Sequence, residues 1–402
     1  MEKPKIIFRL DGSLIESELI DKFQLRNYAR NLRFSYAKKG EVLDFVGFII
    51  QKNEILVSLP KHYSDIDDLK MLSNEDVELL FNVLIQEQVR NVGKYNRDIK
   101  EFDSNFPFEA FYSIYQYFQQ YGLYQEKKTV AKPGYNGKIF WKDTIRKATN
   151  VISNGNLVYL PLFIKETQEK QVFLSGCMAF AINYTLMKFP YFVHGKSPGK
   201  HLSNFDFWEN RDYVVGKLKR IYTELFKDIH KKLVHDLIDF FLEVPENGSI
   251  SVKHYNFELV WETMVEKYLN DFFVGFGDGG MMFGENGNFQ FNKKNFNIDK
   301  AHPANRIEPD HYFRNDEIQF IIDAKYYSKI YELNHKQVAY HTFLKKLANK
   351  TYNALILPTE GVDHSKEHFE LKEEYYVHSD DKIMIWEYYL NMKNVMNNFI
   401  RK

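Results

Sequence analysis

The chain has 402 residues, a length that accommodates two or three domains. Hydrophobic residues make up 44% of it and aromatic residues 16%, which indicates a packed core and excludes a largely disordered protein. The 54 basic residues are balanced by 54 acidic ones, so the overall charge gives no support to nucleic-acid binding, which would depend on local patches.

Cysteine usage and hydropathy favour the cytoplasm. The only cysteine, Cys177, lies in an apolar run and has no partner for a disulfide within the chain. The first residues lack the apolar segment of a signal peptide, and no run approaches about 18 uninterrupted apolar residues. We therefore expect a cytoplasmic protein without a membrane partner.

Residues 1–130 are expected to form a β-rich and helical N-terminal domain that recognises DNA or a partner. A strand is predicted at residues 5–9, and two apolar runs at 45–50 and 54–59 flank a polar turn, as in a β-hairpin. Basic and aromatic residues alternate over residues 26–39. That pattern suits contacts with a phosphate backbone, and a solvated surface is the alternative interpretation.

Helices are predicted over much of the chain that follows. One begins at Ser73, a candidate N-cap, and another covers residues 108–124. A loop rich in Pro and Gly at 127–138 leads into residues 131–245, expected to be a helical middle region with one long helix over 211–242. The sequence contains neither a phosphate-binding Gly-x-x-x-x-Gly-Lys-Ser/Thr loop nor a Cys/His cluster, so neither nucleotide hydrolysis nor a zinc site is expected.

The last predicted domain, residues 246–402, begins at a Pro-Glu-Asn-Gly break and carries an acidic helix. Apolar residues recur at helical spacing over residues 257–272. Glu258, Glu262 and Glu266 stand four residues apart and stack on one side, where their like charges repel unless a metal ion or a basic neighbour offsets them. A solvated acidic face is the alternative.

Two strands joined by a polar turn are predicted between residues 306 and 327. The turn, residues 314–317, reads Arg-Asn-Asp-Glu, and an apolar strand follows it. Because side chains alternate between the faces of a strand, Asp323 and Lys325 share one face. A hairpin would bring Asp310 beside them.

That arrangement has a chemical consequence. Two carboxylates about 4–6 Å apart repel unless a cation lies between them, and Mg²⁺ prefers oxygen ligands of this kind. A neighbouring lysine can orient or deprotonate a water, or stabilise charge on a phosphate. The alternative is an ordinary hairpin with charged residues at its end.

Four further elements are predicted after the hairpin. A helix carries Gln337 and Tyr340, and a buried strand at 353–358 is expected beside the Asp323 strand. The strand–helix–strand order indicates a right-handed crossover in a mixed sheet. Residues 383–386 are expected to add an edge strand, and the tail is expected to be helical.

Pro309-Asp310 and Asp323-Ala324-Lys325 resemble the active-site pattern of the PD-(D/E)xK nucleases. More widely, the sequence is similar to LlaJI-type restriction endonucleases, relatives of the McrC nuclease subunit. Three blocks carry this resemblance: residues 46–61, residues 139–145 and residues 257–325.

The resemblance implies an α/β (α+β overall) chain whose C-terminal PD-(D/E)xK domain has a mixed central sheet flanked by helices. It implies a Mg²⁺-dependent DNA endonuclease of a restriction system, active in phage defence, with Mn²⁺ as a substitute ion. Its partners would be double-stranded DNA and an McrB-like NTPase, with homo-oligomer formation left open. The metal ligands it implies are Asp310, Asp323 and Glu262.

The resemblance also implies roles for Lys325 and Gln337. Lys325 would assist the attacking water, and RecB-like and McrC-like nucleases often place a Gln and a Tyr on the helix after the lysine strand. Gln337 with Tyr340 approximates that pair, with the tyrosine one residue early and His341 in its usual place. Two alternatives stand beside the nuclease: a non-cleaving DNA- or partner-binding module on a nuclease fold, and a scaffold for an NTPase ring.

Overall fold

The computed structural model describes residues 4–401 except 29, 92–100, 191, 194, 200–204, 246–249, 303, 328 and 377–381. The chain forms two compact units. The first combines Met1–Asn105 with Pro245–Lys402, and the second is Phe106–Val244. The division into three domains expected from the sequence stays a prediction, and most of its Pro-Glu-Asn-Gly break lies outside the described residues.

The elements before residue 106 are β1 (Lys5–Leu10), α1 (Ser17–Lys22), β2 (Leu32–Ser35), β3 (Gly40–Leu43), β4 (Val46–Gln51), β5 (Glu54–Leu59), α2 (Asn74–Asn91) and β6 (Phe102–Ser104). Those of the second unit are α3 (Phe108–Tyr121), β7 (Gln125–Pro133), α4 (Trp141–Lys147), β8 (Thr149–Ser153), β9 (Asn156–Leu160), β10 (Phe163–Gln171), α5 (Phe173–Lys188), α6 (Arg211–Glu224) and α7 (Asp228–Glu243).

The remaining elements are β11 (Ile250–His254), α8 (Phe257–Phe272), β12 (Phe273–Gly277), β13 (Gly280–Phe283), β14 (Phe296–Asn297), β15 (Arg306–Ile307), β16 (His311–Arg314), β17 (Ile318–Ala324), α9 (His335–Leu344), β18 (Lys350–Thr359), β19 (His364–Glu370), β20 (Met384–Asn391) and α10 (Met392–Ile400). Short 3-10 helices lie at Leu25–Asn27, Asp67–Met71, Lys345–Leu347 and Glu373–Tyr375.

The N-terminal sheet of the first unit has the strand order β1-β5-β4-β11-β6. The predicted β4–β5 hairpin is present, and β11 from the second half of the chain pairs antiparallel with β4. Gly47 makes this approach possible, because a Cβ at that position would lie 2.0 Å from the carbonyl oxygen of Val252. Its φ of +147° is also one that other residues rarely adopt. The N-terminal segment therefore folds as one body with the C-terminal segment.

The C-terminal sheet is mixed, with the order β16-β17-β18-β20-β19. β17, β18 and β20 are parallel, and β16 and β19 pair antiparallel at the two edges. Because side chains alternate between the two faces of a strand, Ile321 packs with Tyr340 of α9, whereas Phe320 contacts Phe273, the residue that follows α8 and begins β12. Helices on both faces of a mixed sheet confirm the α+β class and are compatible with a nuclease fold.

The expected edge strand at residues 383–386 is wrong in its position. It belongs to β20, which lies between β18 and β19. The edge is β19, whose His-Ser-Lys-Glu-His-Phe-Glu sequence is too polar for its side chains to signal a strand.

The second unit combines packed helices with the β8–β9 hairpin and the antiparallel pair of β7 and β10. Its core is aromatic: the rings of Phe108 and Phe240 surround Phe106, with centroid distances of 4.7 and 5.9 Å. The single helix expected over 211–242 is wrong, because the backbone is extended at Leu225 and Lys227 and α6 ends before α7 begins. The loop expected at 127–138 is wrong over its first half, because residues 127–133 belong to β7, which pairs with β10. Within the described part of the chain, no helix combines the length and the apolar character that a membrane crossing requires.

Candidate active site

The candidate site lies at the end of the β16–β17 hairpin. The turn is held by Asn315, whose Oδ1 accepts hydrogen bonds from the backbone N–H groups of Glu317 (3.0 Å) and Ile318 (2.8 Å). The antiparallel register pairs His311 with Ile322. The next residues outward are therefore opposite each other, and these are Asp310 and Asp323.

The two carboxyl groups contact each other inside the protein. Asp310 is 6% exposed and Asp323 is fully buried, and a hydrogen bond joins their side chains. The Asp310 carboxylate is oriented by the backbone N–H of Ala324, which donates to its Oδ2 at 3.2 Å. The sequence thus correctly placed this pair at one end of the hairpin.

Electrostatics divides the pair into a protonated and an ionised member. Burial and the neighbouring Asp323 carboxylate raise the pKa of Asp310 to about 8. Burial also acts to raise the pKa of Asp323, but the hydrogen bond from Asp310 and the ammonium groups of Lys325 and Lys336 hold it below its ordinary value. Of the two carboxyl groups, Asp310 therefore holds a proton more readily than Asp323.

Two lysines reach the same carboxylate from different elements. Lys325, directly after β17, donates to Oδ2 of Asp323, as its spacing of two residues predicts. Lys336, in the first turn of α9, lies 3.5 Å from Oδ1 and also lies over the Tyr340 ring at 5.2 Å. The side chain of Lys336 is 49% exposed, so its ammonium group is accessible from solvent.

Glu262 lies at the border of this group. Lys293 connects Glu262 to the aspartate pair, since its Nζ lies 3.5 Å from Oε2 of Glu262 and 3.8 Å from Oδ1 of Asp310. Glu308 is a third neighbour of that ammonium, at 3.6 Å. Burial, opposed by the charge of Lys293, raises the pKa of Glu262. Lys293 is thus the basic neighbour that offsets the charge of Glu262 on the acidic helix.

Glu262 does not approach the aspartates as closely as a single ion would require. Among the described residues, the one trio of possible ligand atoms lying within 4.8 Å of one another comes from His235, Asp236 and Asp239 on the surface of α7. Those side chains already form ion pairs, His235 with Asp239 at 2.9 Å and Asp236 with Lys232 at 3.1 Å. The role of Glu262 as a metal ligand stays a prediction.

Gln337 acts on the strand rather than on the carboxylates. It is fully buried, and its Nε2 donates to the carbonyl oxygen of Ile321 at 2.6 Å. Asn334 is the N-cap of α9, and its Oδ1 accepts a hydrogen bond from the Gln337 backbone N–H at 3.0 Å. Tyr340 donates to the carbonyl of Glu308 at 2.8 Å. These bonds fix α9, and with it Lys336, against the end of β17.

The structure adds Lys336 and Lys293 to the residues proposed from the sequence. Lys336 directly precedes Gln337 near the start of the predicted helix, so its place in the sequence could have indicated that it lies near the site. Lys293 lies in a polar segment ahead of β14, and only the folded chain brings it near the site. The basic residues of segment 26–39 are partly neutralised, since Arg26 pairs with Glu41 and Arg33 with Asp44.

A model of the LlaJI restriction endonuclease family matches residues 45–378, most of the chain. This chain belongs to the LlaJI restriction endonuclease family. Membership of the LlaJI family supports a restriction nuclease. No curated protein matches this LlaJI-family sequence.

Two solved structures from Thermococcus gammatolerans are similar to the LlaJI-family chain. One is a refined half-complex from a tetradecameric assembly of McrB AAA+ hexamers with bound McrC, at 13% identity, with 99% of each chain covered and a TM-score of 0.38. The other is a cryo-EM structure of the McrBC complex, at 13% identity, covering 65% of this chain and 88% of that one, with a TM-score of 0.25.

Proposed function

We propose that this chain is a Mg²⁺-dependent endodeoxyribonuclease with a PD-(D/E)xK site, the nuclease component of a cytoplasmic restriction system for phage defence. It would hydrolyse phosphodiester bonds in double-stranded DNA. The observation that carries the proposal is the contact between Asp310 and Asp323, with Lys325 bonded to the second, at the end of a buried strand. Family membership gives independent support to the nuclease class.

The donor set fits a divalent cation. Asp310 and Asp323 bring buried carboxylate oxygens into contact, an arrangement that repels itself unless a proton or a cation lies between them. Mg²⁺ is the natural ion for all-oxygen ligands, and Mn²⁺ would substitute for it. Asp310 and Asp323 would hold the ion, with Glu262 joining after a rearrangement. When bound, the ion would supply Lewis-acid stabilisation of phosphate oxygens.

The remaining residues have roles that follow from their contacts. Lys325 keeps two further N–H donors beyond the one given to Asp323, so it can orient a water or contact a phosphate oxygen. Lys336 and Lys293 are about half exposed and present positive charge on the solvent side of the carboxylates, where a DNA phosphate would approach. Gln337 is a positioning residue, since its side-chain amide donates to the strand backbone at Ile321.

An McrB-like NTPase is part of the proposal. The LlaJI family membership supports a restriction system, and the absence of a phosphate-binding loop from the sequence supports nucleotide hydrolysis by another chain. The competing function is a module that binds DNA or the NTPase without cutting. An intact set of Asp310, Asp323 and Lys325 favours the enzyme, because a binding module has no need of a buried carboxylate pair.

A plasmid-cleavage assay tests the proposal. Methylated and unmethylated plasmids are incubated with Mg²⁺, with and without a purified McrB-like NTPase, and with the Asp323→Ala and Lys325→Ala variants. We expect metal-dependent nicking or cutting that both variants abolish. Asp316→Ala, which removes an exposed aspartate from the turn of the same hairpin, is the matched control and should cut normally. Wild-type rates in both site variants would refute the assignment.

A further inference from the structure

A concave site lies at the end of β17 that is opposite to the carboxylate pair. A cavity of about 890 Å³ is lined by the start of β18, the start of β20, the loop after β12 and the segment after α9. The parallel register places Lys350 beside Ile318, the first residue of β17, whereas Asp323 is near its last. Five residues of extended chain separate these positions by about 17 Å. The cavity is therefore distinct from the carboxylate pair.

The charge at this cavity is positive. Four lysines line it against a single carboxylate, that of Asp278, and these are Lys345, Lys346, Lys350 and Lys382. Lys382 also pairs with Glu370 at 3.1 Å. The excess of positive charge along this lining attracts an anion, and lysine is a common phosphate binder in proteins.

Aromatic rings form another part of the wall. Phe276 and Tyr352 are stacked, with a centroid distance of 5.0 Å and an interplanar angle of 14°. Trp386 lines the same cavity, and all three side chains are half-buried. Flat ring surfaces beside lysines suit a planar, negatively charged ligand, because a nucleobase stacks on an aromatic ring while its phosphate meets the cations.

A buried acceptor completes the lining. Asn353 is 1% exposed, and its Nδ2 lies 2.8 Å from Nδ1 of His341 and 3.2 Å from the carbonyl oxygen of Met384. The carbonyl can only accept, so the orientation of the amide is fixed. Oδ1 is then left without a hydrogen-bond partner among the described residues. A ligand that brings an N–H donor, such as the amino group of a base, would satisfy it.

We propose that this cavity binds a nucleotide unit, with the phosphate on the lysines, the base against the rings and its amino edge toward Asn353. The unit is either a free nucleotide or one nucleotide of a single strand. The site is separate from the carboxylate pair, so the proposal does not depend on the cleavage chemistry.

Calorimetric titration of the full-length chain in EDTA tests the proposal. The probes are dAMP, dCMP, a six-nucleotide single strand and inorganic phosphate. We expect dAMP or dCMP, or the strand, to bind at least tenfold more tightly than phosphate, because only they use the rings. The Lys346→Glu/Lys350→Glu double variant should lose at least tenfold in affinity. The Lys5→Glu/Lys52→Glu double variant, with the same charge change on exposed residues of the N-terminal sheet, should keep it.

Each outcome has one meaning. Saturation by a mononucleotide assigns a free-nucleotide site, and saturation by the strand alone assigns a strand-binding site. Equal affinity for phosphate and nucleotides, retention of binding by Lys346→Glu/Lys350→Glu, or no saturable binding of any nucleotide probe would overturn the proposal. Lys346→Met/Lys350→Met, which keeps the apolar stems, repeats the test if the charge reversal impairs folding. Asp323→Ala should bind as the wild type does, which separates this site from the proposed nuclease.

Discussion

The charge on Lys336 can be removed with little change in shape by the substitution Lys336→Met. Its Nζ lies 3.5 Å from Oδ1 of Asp323, a distance at which two unit charges interact by about 5 kcal/mol at an effective dielectric constant of about 20 and by about 1 kcal/mol in bulk water. The side chain is 49% exposed, so a value near 2 kcal/mol is appropriate. If a DNA phosphate receives a similar interaction in the transition state, cleavage slows about 30-fold.

The assay is the rate of plasmid cleavage as a function of Mg²⁺ concentration. We expect the maximal rate to fall about 30-fold while the Mg²⁺ midpoint does not rise, because losing a positive charge cannot weaken the attraction of the carboxylates for a cation. Lys393→Met is the matched control: Lys393 also pairs with an aspartate, Asp76 at 2.8 Å, and lies over a tyrosine ring, Tyr63 at 4.7 Å. An unchanged rate in Lys336→Met, or an equal loss in Lys393→Met, would refute the reasoning.

Two further predictions concern stability. Burial lowers the pKa of His254 to about 4, below the value of about 6.5 in an unfolded chain, so the unfolded state binds more protons and the free energy of unfolding falls as the pH drops from 6.5 to 4. Urea unfolding at pH 7 and at pH 5 should show a loss of that free energy on the order of 2 kcal/mol in the wild type, and His254→Gln should lack this loss. Equal losses in the two proteins would contradict the prediction. Tyr326→Phe removes the hydroxyl that accepts from the Lys61 backbone N–H at 2.7 Å, and it should lower the free energy of unfolding by about 1–3 kcal/mol, measured by urea titration at pH 7. Tyr36→Phe, at an exposed site, is the control. Equal changes in the free energy of unfolding in the two variants would show that the hydrogen bond between Lys61 and Tyr326 does not stabilise the fold.

The central part of the site was predictable because it depends on local rules. The period of a strand puts Asp323 and Lys325 on one face, and the Asn315 turn sets a register in which Asp310 meets Asp323. Both follow from neighbours in the sequence. The acidic helix was predictable for the same reason, since its apolar residues recur with a helical period.

The rest depends on contacts between distant segments. Lys293 reaches Asp310 only because the chain ahead of β14 folds back over the hairpin, and no spacing in the sequence marks it. The pairing of β11 with β4 joins segments about 200 residues apart, and it depends on the clearance that Gly47 provides. The break between α6 and α7 contains neither Gly nor Pro, so the helical pattern continues across it and concealed the turn at Leu225–Lys227.

The most direct test of the account is calorimetric titration of the full-length chain with Mg²⁺ and with Mn²⁺, comparing the wild type with Asp310→Asn and Asp323→Asn. We expect saturable binding in the wild type and its loss in both variants, because each replaces a charged carboxylate of the buried pair by a neutral amide with one oxygen. Asp316→Asn, in the turn of the same hairpin, should bind as the wild type does. Equal binding by all four proteins would show that the pair does not hold the ion and would contradict the central claim.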